Sequence, residues 1–191
     1  MTKKSKLIIF TGPSGVGKGS ILEKFFNIAN KNQDKVVYSV SSTTRKPREG
    51  EIDGKHYFFI SKEEFENKIK ENTFLEWAIY NDNYYGTSKD FINKCLNEDT
   101  SVILEIELQG ALNVMHQYPD ALSIFIMPPS FEELEHRLRG RNSEDNETIL
   151  KRLNTAKTEL ENSGKFKYKI VNNGLDEAVN ELYQIFIKET K

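Results

Sequence analysis

The stretch Gly12-Pro13-Ser14-Gly15-Val16-Gly17-Lys18-Gly19-Ser20 combines residue types and a spacing that imply chemistry. It follows the apolar run Lys6 to Thr11 and precedes the amphipathic pattern Ile21, Leu22, Phe25, Phe26, Ala29, giving strand, glycine-rich loop and helix in that order. Glycines let backbone N–H groups turn inward around a phosphate. The helix N-terminus adds the positive end of its dipole, and Lys18 supplies a charge that reaches the β and γ oxygens of a triphosphate. A glycine-rich turn that only starts a helix accounts for the glycines but not for Lys18, because a first-turn lysine opposes the macrodipole. All nine residues are candidates for binding a nucleoside triphosphate. The Ser or Thr usual directly after the lysine is Gly19 here, and the hydroxyl, a candidate metal contact, comes one place later at Ser20.

A second anion site is suggested by Arg45 and Arg48, three apart around Pro47, because planar guanidinium groups grip a phosphate bidentately. Tyrosine hydroxyls at Tyr57 and Tyr85 can add donors. Taken alone, two such arginines are more often a solvated basic turn. Further along, Leu104-Glu105-Ile106-Glu107 ends an apolar run in carboxylates, and an acidic strand end beside a phosphate loop is where such enzymes hold Mg²⁺.

These groups need a scaffold. Runs rich in β-branched and aromatic residues recur at Lys6–Thr11, Val36–Val40, Val102–Glu107, Leu122–Met127 and Lys167–Asn172, with helical patterns between most of them. That alternation predicts an α/β fold, a parallel sheet flanked by helices. Ser61 with Glu64 and Ser130 with Glu133 form capping boxes opening helices over Ser61–Asn72 and Ser130–Leu138. Further helices are expected over Asn146–Ser163 and around Ala178 to Phe186. Two segments break the pattern: 41–87, dense in aromatics, arginines and turn residues, and 139–152, charged and glycine-interrupted. Both are expected to be insertions in one domain, whose core is 1–40, 88–138 and 153–191.

The acceptor region, together with Phe74-Leu75-Glu76-Trp77-Ala78 and Asn83-Tyr84-Tyr85-Gly86-Thr87, resembles guanylate kinases, and the resemblance covers essentially the whole chain. It implies a P-loop nucleoside monophosphate kinase fold and transfer of the γ-phosphoryl group of ATP to GMP or dGMP, with Mg²⁺. Residues matching Arg45, Arg48, Tyr57 and Tyr85 hold the GMP phosphate in that family. Those matching Ser41, Glu76 and Thr87 read guanine, with Gly86 and Glu107 in the same site. The chemistry agrees, since a carboxylate facing the guanine donors N1 and N2 would repel the acceptor at N1 of adenine. The family usually has Asp where this chain has Glu107, and the resemblance makes this carboxylate a candidate contact to GMP or, through water, to Mg²⁺. Arg137, Arg141 and Arg152 match lid arginines, which join Lys18 and Arg45 as the catalytic set, and Pro128, Pro129, Ser130 and Asn172 match positions by the adenine.

Composition sets outer limits. With 191 residues and 37% hydrophobic content the chain suits one domain, and its formal net charge of −2 argues against a nucleic-acid or membrane-surface partner. Small-molecule substrates are expected, and oligomeric state is left open, a homo-oligomer included. No signal-peptide core or spanning run is present, and the single cysteine, Cys95, fits a reducing, cytoplasmic setting and a core packing role. Loose phosphoryl transfer needs alignment and positive charge more than a base, so His56, His116 and His136 are expected to be surface or structural residues. Two rivals remain: a scaffold module that shares the fold but binds phosphopeptides, and a kinase for another monophosphate.

Overall fold

The computed structural model describes residues 4–80, 82–140 and 145–191. Strands β1 (Leu7–Thr11), β2 (Val36–Tyr38), β7 (Ser101–Glu105), β8 (Leu122–Met127) and β9 (Tyr168–Val171) form one sheet in the order β2-β7-β1-β8-β9. Every neighbouring pair in it is parallel. A parallel sheet is covered on both faces, so its strands must be apolar throughout, and β1 is buried along its full length.

Helices supply the two covers. Ile8 and Phe10 of β1 pack toward α1 (Lys18–Lys31) and α7 (Leu175–Thr190), where Phe25, Leu182 and Phe186 meet them. Leu7 and Ile9 point the other way, toward Ile92 of α3 (Lys89–Asn97) and Ala111 and Val114 of α4 (Leu108–Gln117). Helices α5 (Phe131–Arg139) and α6 (Asn146–Glu161) share a smaller cluster built on Leu134, Leu138, Ile149, Leu153 and Ala156. The expected cap at Ser130 is present, its hydroxyl accepting the N–H of Glu133 at 3.1 Å. Among the described residues no helix is long and apolar enough to cross a membrane.

Residues 42–88 build a second sheet. Strands β3 (Ser42–Thr43), β4 (Phe58–Phe59), β5 (Phe74–Tyr80) and β6 (Asn83–Ser88) lie in the order β4-β3-β6-β5, accompanied by α2 (Lys62–Lys70), which Ser61 caps through Glu64 N–H at 3.0 Å. Phe65 of α2 is fully buried and stacks on Phe74 with ring centroids 4.3 Å apart. Burying such a ring contributes about 2–3 kcal/mol, enough to give this small sheet a core of its own. Gly86 lies beneath that ring, where a Cβ would come within 2.9 Å of Phe65 Cζ. Cys95 packs half-buried against the main core, and His56, His116 and His136 are exposed.

Candidate active site

The phosphate loop sits at the C-terminal end of β1, the central strand, flanked by β7 on one side and β8 on the other, with the chain leaving β1 toward β2 and later crossing from β7 to β8. Ligands of open α/β sheets bind at such a switch point. Two glycines let the loop lie this close to its neighbours: a Cβ on Gly12 would fall 2.4 Å from the Ile126 carbonyl oxygen, and one on Gly17, at φ +94°, 2.6 Å from Asn172 Nδ2. Helix α1 begins at Gly17 with no side-chain cap and no acidic residue in its first turn. Its N–H groups and dipole are therefore left for an anion.

Lys18 Nζ donates to the carbonyls of Gly12 and Pro13, which holds the ammonium over the loop. Asn172 is buried at the end of β9, and its Nδ2 donates to the Val16 carbonyl at 2.8 Å. The carbonyl of Asn172 accepts in turn from Arg137 Nη2 at 3.2 Å, and Arg137 Nε is fixed by Glu133 at 2.8 Å. Asn172 thus supports the phosphate loop, and through its backbone it also fixes Arg137. Ser14, Gly19 and Ser20 are exposed on the loop and the first turn of α1, while Pro13 is buried. Arg152 is half-buried on α6, and Arg141 lies outside the described residues.

The second sheet brings the guanine-reading candidates into one hydrogen-bonded chain. Antiparallel pairing sets Glu76 of β5 opposite Thr87 of β6, and Thr87 donates its hydroxyl to Glu76 Oε1 at 2.8 Å. That uses the only proton on Thr87, so the 3.3 Å contact between the Ser41 and Thr87 hydroxyls has Ser41 donating. Burial raises the Glu76 carboxyl above its ordinary value, and the Thr87 bond opposes this in part. Gly110, in the first turn of α4, lies beside the other carboxylate oxygen: a Cβ there would be 3.1 Å from Glu76 Oε2. Trp77, next in sequence, is 46% exposed.

The phosphate candidates cluster nearby. Thr43 pairs with Tyr85 and Ser42 with Gly86, so β3 delivers Arg45 to the rings of Tyr57, 5.5 Å from the guanidinium, and Tyr85, 5.9 Å from Tyr57. The side chain of Arg48 is exposed. A cavity of about 230 Å³ shares Glu76 with this region, but its other walls are Asn72, Trp77, Asn113, Gln117 and apolar neighbours. It lies to one side of the polar cluster.

Three carboxylates were missed by sequence reasoning. Glu51 pairs with Arg45. Glu105 ends β7 and accepts the Tyr38 hydroxyl at 3.1 Å; burial and then Glu105 itself raise the Tyr38 pKa. Glu159 of α6 is 6% exposed, and its carboxyl is raised to about 7 by burial, then by the charge of Glu107, with Lys18 opposing. Glu159 reads as one polar position on an amphipathic helix, and only folding brings it near the P-loop lysine. Glu107 itself is exposed just before α4.

The guanylate kinase family model matches residues 4–189. The chain belongs to the guanylate kinase family. It is 46% identical to the guanylate kinase of Caldanaerobacter subterraneus subsp. tengcongensis over 187 residues, 98% of this chain and 89% of that one. Identity to the guanylate kinase of Mycoplasma pneumoniae is also 46%, over 99% of this chain and 78% of that one. The crystal structure of the guanylate kinase from Anaplasma phagocytophilum superposes with a TM-score of 0.77 at 30% identity, covering all of this chain and 89% of that one. Membership fits a molecule that joins a phosphate loop to a separate sheet carrying an arginine, two tyrosines and a half-buried carboxylate.

Proposed function

We propose that this chain transfers the γ-phosphoryl group of ATP to GMP, or to dGMP, giving ADP and GDP. The observation that carries the reading is the chain Ser41, Thr87, Glu76, which offers hydroxyls and one carboxylate to a base, beside the Arg45, Tyr57 and Tyr85 group that suits a phosphomonoester. An ionised Glu76 accepts from N1 and N2 of guanine, and would face an unpaired acceptor if adenine entered. Arg45, Arg48, Tyr57 and Tyr85 take the acceptor phosphate, with Gly86 keeping β6 close against its neighbours.

On the donor side the N–H groups of the 12–20 loop cradle the triphosphate, and Lys18 leaves the loop carbonyls to neutralise the β and γ oxygens. Transfer through a loose transition state then depends on alignment and positive charge, supplied by Lys18, Arg45, Arg137, Arg141 and Arg152. Mg²⁺ suits the oxygen donors present: Ser20 and Glu107 are both exposed, so water can stand between them and the ion. Bound with ATP, the ion would offset charge on the phosphates. Segments 41–87 and 139–152 act as the acceptor-binding region and the lid, closing on their substrates to exclude water.

A coupled assay for ADP tests this, with ATP, Mg²⁺ and GMP, AMP, CMP or UMP in turn and a control without acceptor. ADP formed with GMP, and not with the others, is the expected outcome. Turnover with another base would overturn the role given to Glu76, and ATP binding without any turnover would overturn the kinase reading itself.

A further inference from the structure

The loop between β3 and β4 holds a carboxylate that the acceptor site does not itself require. Glu51 Oε1 accepts from Arg45 Nη2 at 2.8 Å, and Oε2 accepts from Arg45 Nη1 at 2.9 Å and from the Arg48 backbone N–H at 2.7 Å. The two side chains are 15% and 18% exposed, so this pair is more enclosed than an ordinary surface ion pair. Arg45 Nη1 spends its second hydrogen on the Lys46 carbonyl at 2.8 Å.

A guanidinium has five N–H donors in a fixed plane. Here both donors of Nη1 and one of Nη2 are committed to Glu51 and Lys46. The Nε hydrogen and the second Nη2 hydrogen point the same way along the remaining edge, where the Tyr85 hydroxyl meets the guanidinium. That edge is a second fork with the spacing that accepts a carboxylate or phosphate bidentately. The ring of Tyr57 at 5.5 Å and that of Phe59 at 5.8 Å fix the plane, and the Tyr85 hydroxyl reaches the same guanidinium.

We infer that Glu51 is a positioning residue for the acceptor phosphate: it fills the end-on fork of Arg45 and so presents the side-on fork to GMP. This rests on the reading of Arg45 as a phosphate ligand. Glu51 also offsets the charge of Arg45, so an anion of poor shape gains little there. An anion that matches the side-on fork takes the place of the Tyr85 hydroxyl there and gains two parallel hydrogen bonds. The bonds from Arg45, and then the Arg48 N–H, hold the Glu51 carboxyl at about 2, so the clamp stays charged wherever the protein is folded at ordinary pH. A different role is conceivable for the same contact, in which Glu51 occupies the place of the phosphate and must be displaced. It makes the opposite prediction.

The full-length chain decides between them through Glu51→Gln, which keeps the side-chain shape without the charge, and Glu51→Asp, which keeps the charge but shortens the reach. Arg45→Lys serves as the benchmark for the site. The measured quantities are KM for GMP, KM for ATP, kcat, the inhibition constant of guanosine, which lacks the phosphate, and the thermal midpoint. The expected result is a rise of about tenfold in KM for GMP in both Glu51 variants, with guanosine inhibition and KM for ATP within about twofold of the parent. A KM for GMP that stays the same or falls, while Arg45→Lys raises it, overturns the positioning role and leaves the site reading standing. An Arg45→Lys enzyme with unchanged KM for GMP overturns the site reading and this inference with it. Parallel losses for guanosine, ATP and GMP, with a lowered midpoint, would make Glu51 a structural residue only and overturn the inference as well.

Discussion

The hydroxyl of Thr87, a fully buried residue, donates to Glu76 Oε1 at 2.8 Å across the β5–β6 pair, on a carboxyl whose pKa burial has raised. This gives stability and recognition opposite pH dependences. The folded protein holds the Glu76 proton at a pH where the unfolded chain, near the ordinary value of 4.5, has already lost it. Glu76 therefore makes the folded state progressively less stable as pH rises through the window between 4.5 and the raised value, and the cost is complete above it. Guanine binding should strengthen through the same window, because the ionised carboxylate can accept from N1 and N2 together. Guanosine, which has no titrating phosphate, is the probe. Its inhibition should weaken on acidification at a pH above the usual carboxylate range. Glu76→Gln should remove that step, raise the thermal midpoint at neutral pH, and weaken guanosine by about ten- to a hundredfold. A variant that binds guanosine as well as the parent would remove Glu76 from recognition.

Gly110 stands against the other oxygen of the same carboxylate, its missing Cβ only 3.1 Å from Glu76 Oε2. Alanine is favoured over glycine in a helix by about 1 kcal/mol, so Gly110→Ala should leave α4 as stable or more stable. The added methyl must move the Glu76 side chain, however, and KM for GMP should rise while the melting temperature does not fall. Calorimetry and initial rates on one preparation test this. Lower stability with unchanged KM would show that the glycine serves packing and not the carboxylate.

The core of the fold was legible because its signals are local and periodic. Apolar runs placed each of the five parallel strands within two residues of its position, and Ser61 and Ser130 marked their helices through caps that the structure contains. The insertion was legible as an interruption but not as a sheet, since β3 and β4 are two residues each and too short to show any period. At the candidate site, Lys18 and Arg45 could be named because their neighbours in sequence suit the same chemistry, and Glu76 through the resemblance to guanylate kinases. Glu51, Glu105 and Glu159 could not. Glu51 lies in a polar loop, Glu105 at the end of an apolar strand and Glu159 on an amphipathic helix, and what sets each apart is a partner or a burial that only the folded chain supplies.

Asn172 offers a test of support beneath the phosphate loop. Its Nδ2 donates to the Val16 carbonyl at 2.8 Å, at a position that is 7% exposed. Asn172→Ala leaves that carbonyl without its side-chain donor, and a buried polar group stranded in this way costs about 1–3 kcal/mol. Asn172→Asp should be worse, because it sets a carboxylate oxygen against the carbonyl. Both variants should raise KM for ATP more than KM for GMP, with the melting temperature falling by a few degrees (~3–8 °C). Equal effects on the two substrates would mean that Asn172 supports the domain generally and not the loop.

Lys18 is the sharpest probe of the donor site. In this structure its ammonium rests on the carbonyls of Gly12 and Pro13, contacts that cost little to break because water or a phosphate oxygen can replace them. Lys18→Ala should therefore leave the melting temperature within a few degrees of the parent, yet lower kcat by at least about a hundredfold, the usual scale for removing one charge from a developing anion. Lys18→Arg should not restore the rate, since a planar fork does not replace a compact ammonium in a loop this close. Single-turnover transfer from labelled ATP at saturating GMP separates this effect from weaker ATP binding. A normal single-turnover rate in Lys18→Ala would show that the loop binds the triphosphate without the lysine taking part in transfer.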